Sequence, residues 1–185
     1  KTDFATGKGP AGIAATDLNS DGHADLAVAN QTDNTVSILL GNNDGTFTAR
    51  RDFVTDSGPV GLLAADFTGE GNPDLAVTDH TESNLDLLVG NGDGTFSAPV
   101  SLGTGNAPIA IVAADLNGDG TLDAVIANQS SNSVTVILNT ALSSASTSSP
   151  AQTAYPSSEY EDLGLKIKAT PRLHGDDEVT LQLQF

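Results

Sequence analysis

The 185-residue chain has no cysteine, methionine or tryptophan, and only 7 of its residues are lysine or arginine. The lack of cysteine excludes a disulfide framework, a cysteine zinc site and thiol catalysis, and leaves the redox compartment undecided. Acidic residues number 24, so the net charge is −17 at pH 7. Nucleic-acid binders carry basic surfaces that neutralise phosphates, so we expect no nucleic-acid partner. No apolar run approaches the roughly 18 residues of a membrane-spanning helix, so we also expect no membrane span.

The sequence contains three copies of one unit, repeated with a period of 49 residues. Asp17, Asp66 and Asp115 are equivalent, and each is preceded by a proline seven residues earlier. Short apolar runs separated by glycine, asparagine and aspartate are typical of strands. In the first copy, four strands are predicted at residues 11–18, 24–30, 35–40 and 47–53. Four antiparallel strands repeated at this spacing are typical of propeller blades. The sequence therefore predicts an all-β fold with three four-stranded, propeller-type blades in residues 1–140.

The phase of the repeats predicts an incomplete propeller. Phe4 aligns with Phe53, so residues 1–6 correspond to the outermost strand of a preceding blade. Residues 145–152, which would supply the fourth strand of the third copy, carry no strand pattern. Closed propellers have about four to eight blades, so three copies do not close a ring. We expect the free edge at residues 134–138 to pair with a strand from another chain or from the missing part of a longer protein; the supplier would be residues 1–6 of a neighbouring copy or the tail described below. Head-to-tail strand exchange of this kind would give a ring or, if the rotation does not close, a filament.

An acidic segment links the first two predicted strands of every copy. The segments read DLNSDGHAD at residues 17–25, DFTGEGNPD at residues 66–74 and DLNGDGTLD at residues 115–123. Oxygen-bearing side chains stand at positions 1, 3, 5 and 9 of each segment, and glycine at position 6 permits a sharp turn. Hard oxygen ligands in a flexible loop suit calcium. The alternative is that the segments are Asx turns whose carboxylates only cap backbone N–H groups.

This loop recurs together with a Leu-Ala-Val strand and a Gly-Asn-x-Asp-Gly-Thr-Phe turn in the first two copies. The combination resembles the FG-GAP or VCBS repeats of integrin-type β-propellers, and the resemblance implies up to three calcium ions, one per loop. The implied ligands are four side chains and the position 7 carbonyl of each loop: Asp17, Asn19, Asp21, His23 and Asp25; Asp66, Thr68, Glu70, Asn72 and Asp74; Asp115, Asn117, Asp119, Thr121 and Asp123. The second loop departs from the pattern, because Thr68 is a weaker donor and Glu70 is one methylene longer than aspartate.

Other motifs point away from catalysis. Asp44 and Asp93 stand in Asn-Gly-type turns, where a turn role is favoured over a second metal site. The histidines, His23, His80 and His174, show no zinc spacing and are expected to be solvated. No serine, histidine and aspartate are arranged to activate a nucleophile. We therefore expect that the protein is not an enzyme.

The last part of the chain differs in composition from the repeats. Residues 141–158 are rich in serine, threonine, alanine and proline, which predicts a linker. Residues 159–185 alternate between apolar and polar side chains, which predicts a β-hairpin. Its strands are predicted at residues 163–170 and 179–185, around a turn at residues 174–177. The stretch from Tyr160 onward resembles part of the secretin domain of bacterial outer-membrane secretion channels, which implies a cell-envelope or secreted setting. The alternative is a generic hairpin that closes on its own propeller.

Together these patterns predict a calcium-stabilised β-repeat protein that is extracellular or on a bacterial cell surface and serves as an adhesive or structural assembly module. Extracellular calcium is near millimolar and suits weak loop sites. The expected partners are copies of the chain itself, a surface protein or a glycan. Two alternatives stay open, a component associated with a secretion channel and a carbohydrate-binding propeller. The second is disfavoured because the chain has no tryptophan and only 2 tyrosines to stack on sugars.

Overall fold

The computed structural model describes residues 1–139 in full and the backbone of residues 169–174 and 178–183. Every regular element in this part of the chain is a strand, which confirms the predicted all-β class. Among the described residues, no helix has the length and apolar character to cross a membrane. The strands are β1 Pro10–Thr16, β2 Asp25–Asn30, β3 Thr35–Leu39, β4 Arg51–Val54, β5 Pro59–Ala65, β6 Asp74–Asp79, β7 Asn84–Leu88, β8 Val100–Gly103, β9 Pro108–Ala114, β10 Asp123–Asn128, β11 Ser133–Ile137, β12 Ala169–His174 and β13 Glu178–Leu183.

Three antiparallel sheets form the predicted blades. The first contains β1 to β4 and the second β5 to β8, each in sequence order, and the third contains β9 to β11. Among residues up to 139, the third blade has no fourth strand, as the repeat phase predicts. Residues 145–152 lie outside the described part of the chain. Strand β1 contacts β5, and β5 contacts β9, so the blades follow one another without closing a ring.

The fourth strand of each complete blade begins later than the sequence suggested. It was predicted from residue 47, whereas β4 spans Arg51–Val54. Phe47 instead makes an isolated bridge with Gly41. The Asp44 carboxylate accepts hydrogen bonds from the Thr46 amide at 2.9 Å and from its hydroxyl at 2.6 Å. Phe47 therefore closes this tight turn, and the strand begins only at Arg51.

The hydrophobic core lies between the blades, not within any one of them. Small and β-branched residues of the middle strands are covered on both faces, as expected for stacked sheets. The cluster between the first and second blades contains Leu18, Ala27, Val36, Ile38, Leu75, Val77, Leu88 and Phe96. The cluster between the second and third blades contains Phe67, Ala76, Leu85, Ala124 and Ile126.

Glycine allows the innermost strands of neighbouring blades to approach closely. A Cβ atom on Gly12 of β1 would lie 2.3 Å from the carbonyl oxygen of Val60 on β5. A Cβ on Gly61 would lie 2.6 Å from Thr78 Oγ1 and 3.1 Å from the Ile109 carbonyl oxygen. Any side chain at Gly12 would therefore push the first two blades apart.

The predicted C-terminal hairpin is present, and its first strand continues past the predicted end at residue 170. Strand β12 pairs with β13 from Ala169 opposite Leu183 to His174 opposite Glu178. The first strand is predicted at residues 163–170 and the turn from His174, whereas β12 continues to His174, which pairs with Glu178. Residues 141–158, 163–168 and 175–177 lie outside the described part.

Candidate functional site

Each acidic loop curls around the carboxylate at its first position. Asp17 Oδ1 accepts the N–H groups of Asn19 and Asp21, both at 3.2 Å, and its Oδ2 accepts that of Gly22 at 2.7 Å. In the other loops, Asp66 accepts the N–H groups of Gly69, Glu70 and Gly71, and Asp115 those of Gly118, Asp119 and Gly120. The glycines at position 6 have φ values of 83°, 87° and 88°, a conformation that favours glycine. The three loops therefore share one backbone fold.

Side chains at positions 3 and 5 are joined in two of the loops. Asn19 Nδ2 donates to Asp21 Oδ2 at 2.9 Å, and Asn117 Nδ2 donates to Asp119 Oδ2 at 3.0 Å. These bonds gather the oxygens of positions 1, 3 and 5 at one turn. Among the described residues, the second loop has no equivalent bond between its Thr68 and Glu70 side chains. The second loop therefore differs from the other two in structure as well as in sequence.

Position 9 is occupied by a fully buried aspartate in all three loops. Asp25 Oδ2 accepts the Leu18 N–H at 2.8 Å, and its Oδ1 accepts the Gly41 N–H at 2.7 Å. The equivalents are Asp74, bound by Phe67, Thr68 and Gly90, and Asp123, bound by Leu116 and Asn139. Each of these predicted ligands therefore ties its loop to the end of the third strand. The sequence analysis missed this clamp, although its partner always follows the aspartate by 16 residues.

His23 does more than face solvent. Its amide donates to Asp21 Oδ1 at 2.8 Å, and its Nδ1 lies 3.1 Å from the same oxygen. The hydrogen bond from the Asn19 side chain, followed by that from the His23 amide, lowers the pKa of Asp21 below its usual value. The Asp21 carboxylate is therefore ionised at neutral pH and carries the negative charge that a cation would need.

The donor chemistry of the loops fits calcium. In the part of the chain that the structure describes, no three aspartate, glutamate or histidine side chains converge into a ready metal cluster. In the first and third loops, the amide side chain at position 3 bonds the carboxylate at position 5, and in all three loops the aspartate at position 1 accepts N–H groups of the same turn. A carboxylate oxygen has two lone pairs, so one that accepts an N–H bond retains a lone pair for a cation. These are the oxygen ligands that calcium takes in flexible loops.

Asp44 and Asp93 hold turns. Each accepts the amide and the hydroxyl of a threonine two residues later, Thr46 and Thr95. The threonine hydroxyl bond, followed by the amide bond, lowers the pKa of both carboxyl groups. Their oxygens are thus engaged in local turn structure, as the sequence suggested.

A cavity lined mainly by apolar side chains lies between the second and third blades, beside Phe67 and Leu102. The corresponding space between the first and second blades is filled by the Phe96 ring, which packs on Phe53 with ring centroids 5.4 Å apart. The counterpart of Phe96 in the third copy is Ala145, outside the described residues. The sequence of the third copy therefore has no aromatic residue at the position of Phe96.

The second blade holds an acidic cluster that the sequence analysis did not single out. Asp79 and Asp86 are fully buried, and the Asp56 N–H donates to Asp86 Oδ2 at 2.8 Å. Burial, followed by the charges of Asp86 and Asp56, raises the pKa of Asp79 to about 8. Asn30 and Asn128 occupy the position of Asp79 in the other blades. Comparing the three copies position by position would have revealed this difference.

Of the comparisons with known proteins, the one with family models agrees with the repeat architecture. A variant of the Photorhabdus luminescens Tc holotoxin pore is similar in structure, with 19% identity and a TM-score of 0.39. The alignment covers 92% of this chain and 8% of that chain, so the chain spans less than a tenth of that protein. The comparison with curated protein sequences finds no match. The FG-GAP-like repeat family matches at residues 17–77 and 66–126, which together make up more than half of the sequence. The chain therefore belongs to the FG-GAP-like repeat family.

Proposed function

We propose that this chain is a calcium-stabilised module that works outside the cell or on its surface, in adhesion or structural assembly and not in catalysis. Its family and its stacked blades support a β-repeat module of the structural or adhesive type. To this general function we add calcium binding and an extracellular location. The partners are copies of the chain, a surface protein or a glycan.

The recurrence of one oxygen-lined loop in all three blades carries the proposal. An Asx turn needs one carboxylate, whereas these loops place acidic side chains at positions 1, 5 and 9. Such carboxylates repel one another, and a divalent cation would offset that repulsion. The side chains at positions 1, 3, 5 and 9 and the position 7 carbonyl would hold the ion, which would crosslink the two ends of the loop.

Weak loop sites explain the proposed location. With a dissociation constant of about 0.1 mM, about 2 mM calcium stabilises the folded state by roughly 1.8 kcal/mol per site. Three independent sites would supply about 5 kcal/mol, which is comparable with the stability of a small domain. Cytosolic calcium is far too dilute to fill sites of this affinity, whereas extracellular calcium fills them.

Thermal melting in about 2 mM calcium and in excess EDTA tests the proposal. Asp17→Ala and Asp115→Ala should lose more stability in calcium than in EDTA, by about 2 kcal/mol for each site. Asp25→Ala should lose stability in both buffers, because it leaves two N–H groups without their acceptor. Asp44→Ala is the control, and its change in stability should be the same in calcium and in EDTA.

Direct titration supplies a second measurement. Calorimetry should find up to three calcium ions per chain, and one fewer in Asp17→Ala. Identical melting curves of the unaltered chain in calcium and in EDTA would reject calcium and leave the loops as Asx turns.

A further inference from the structure

The outer face of the third blade exposes apolar side chains whose counterparts in the other blades are buried. Val134 on β11 is 62% exposed, and Leu116 in the third acidic loop is 52% exposed. The counterparts are between 0% and 8% exposed: Val36 and Leu18 in the first blade, Leu85 and Phe67 in the second. They are buried because the next blade packs on them. The third blade thus ends in a face that fits a following blade.

The first blade presents the complementary face. Ile13 on β1 is 64% exposed. Its counterparts, Leu62 on β5 and Ile111 on β9, pack against the core clusters formed with the preceding blade. The residue at this position therefore covers the blade before it. The exposed faces of the first and third blades therefore correspond to the two sides of the interface found between neighbouring blades.

Residues 1–6 already lie where the outermost strand of a preceding blade would be. The Phe4 ring packs edge-on against Phe47, with centroids 5.0 Å apart and planes at 82°. Phe53 on β4 packs in the same way against Phe96, at 5.4 Å and 85°. Residues 1–6 form no strand in the structure.

The repeats define the register in which this segment would pair. Strand β4 pairs with β3 so that Phe53 lies opposite Val36. The equivalent pairing of β8 with β7 keeps the same register in the second blade. Transferred to the third blade, the register places Phe4 opposite Val134 on β11.

Side-chain chemistry supports this register independently. In both complete blades, a hydroxyl group on one of the last two strands donates to a carboxylate on the other at 2.6 Å: Ser37 to Asp52 and Ser101 to Asp86. In the transferred register, Thr135 on β11 lies opposite Asp3, which is again a hydroxyl opposite a carboxylate. In the described structure Asp3 makes an exposed ion pair with Lys1 at 3.2 Å.

We propose that two copies of this chain join head to tail, and that residues 1–6 of each copy form the fourth strand of the other copy's third blade, with Asp3 opposite Thr135 of the partner subunit. The inference rests on the proposed assembly function and gives it a partner and a register. Two copies supply six blades, which lies within the range of about four to eight in closed propellers. Both exposed end faces are then covered.

Ala110 limits how closely the copies approach. Its counterparts are Gly12 and Gly61, where a Cβ would lie 2.3 Å from the Val60 carbonyl oxygen and 3.1 Å from the Ile109 carbonyl oxygen. The alanine methyl group therefore holds the partner's innermost strand farther away than β5 lies from β1. Removing it with Ala110→Gly should tighten the association and lower the dimer dissociation constant.

Engineered cysteines test the register, because the chain has none of its own. A chain carrying Asp3→Cys is mixed with one carrying Thr135→Cys and oxidised mildly in calcium. The expected product is a disulfide-linked heterodimer of twice 18.7 kDa. The control pairs Asp3→Cys with Val134→Cys and should crosslink about tenfold less, because successive strand residues face opposite sides. Equal crosslinking of both pairs would overturn the register.

Sedimentation tests the dimer itself. The unaltered chain should have twice the mass of one chain at micromolar concentration, and Val134→Lys should remain at 18.7 kDa. Val54→Lys is the matched control, because Val54 is 70% exposed and lies on a different face from Phe53. A monomer at high micromolar concentration would overturn the inference. If that monomer still melted higher in calcium than in EDTA, the proposed calcium function would stand without it.

Discussion

Asp79 carries a buried carboxyl group in a place where the other two blades have an uncharged amide. If Asp79 is ionised, neither of its oxygens finds a hydrogen-bond donor among the described residues. If it is protonated, it shares a hydrogen bond with Asp86. Burial, the charges of Asp86 and Asp56, that shared bond and the charge of Glu82 raise its pKa to about 8, in order of decreasing effect. Asp79 therefore holds a proton at neutral pH.

This proton makes the stability of the chain depend on pH. An unfolded aspartate titrates near pH 3.9, so between about pH 4 and pH 8 the folded chain binds more protons at Asp79 than the unfolded chain does. The stabilisation from this site is complete below about pH 4 and is lost as the pH rises to about 8. Relative to Asp79→Asn, the unaltered chain should lose up to about 1.4 kcal/mol per pH unit across that window.

Urea denaturation of both proteins at pH 5, 7 and 9 measures this difference. Asn30→Asp is the reciprocal variant and should introduce a slope over a narrower pH range in the first blade, because burial acts there but the counterparts of Asp86 and Asp56 are Ser37 and Gly7. Parallel stability profiles for the unaltered chain and Asp79→Asn would show that Asp79 is ionised throughout.

The turn before the fourth strand of the second blade has a packing role. Phe96 is 8% exposed and belongs to the core cluster between the first two blades, whereas its counterpart Phe47 is half-buried. Phe96→Ala should cost about 3–5 kcal/mol, and Phe47→Ala clearly less. The free energy of unfolding from urea titration measures both. Equal losses would mean that burial between blades does not determine the cost.

Strands were predicted accurately where the local sequence pattern determines their bounds. The repeat period and the β-branched runs predicted β2 and β3 within one or two residues of their observed bounds. The start of β4 was wrong because the bonds of Asp44 and the bridge of Phe47 depend on how the turn folds back. Each predicted loop does fold around the carboxylate at its first position. The clamp at position 9 was missed, because one of its two kinds of partner amide lies 16 residues downstream, beyond the third strand.

Charge acts on the molecule as a whole. Three calcium ions would change the net charge from −17 to −11, since each adds two positive charges. Without calcium, dissolved salt screens the repulsion among the loops. The distance over which charges interact falls to about 10 Å at 0.1 M salt. In EDTA, raising choline chloride from 0.02 to about 0.5 M should therefore raise the melting temperature by about 3 °C, and in calcium by less. A fall in melting temperature with salt in EDTA would contradict this account.

The glycines of the innermost strands also affect how such an array grows by gene duplication. A new unit inserted between the first two would meet Gly12, and its backbone would approach without obstruction. A new unit added after the third would meet the methyl group of Ala110. A blade added at that end would therefore pack less closely than the others unless Ala110 were also replaced by glycine. By this reasoning, internal duplication is the easier evolutionary route to a larger number of blades.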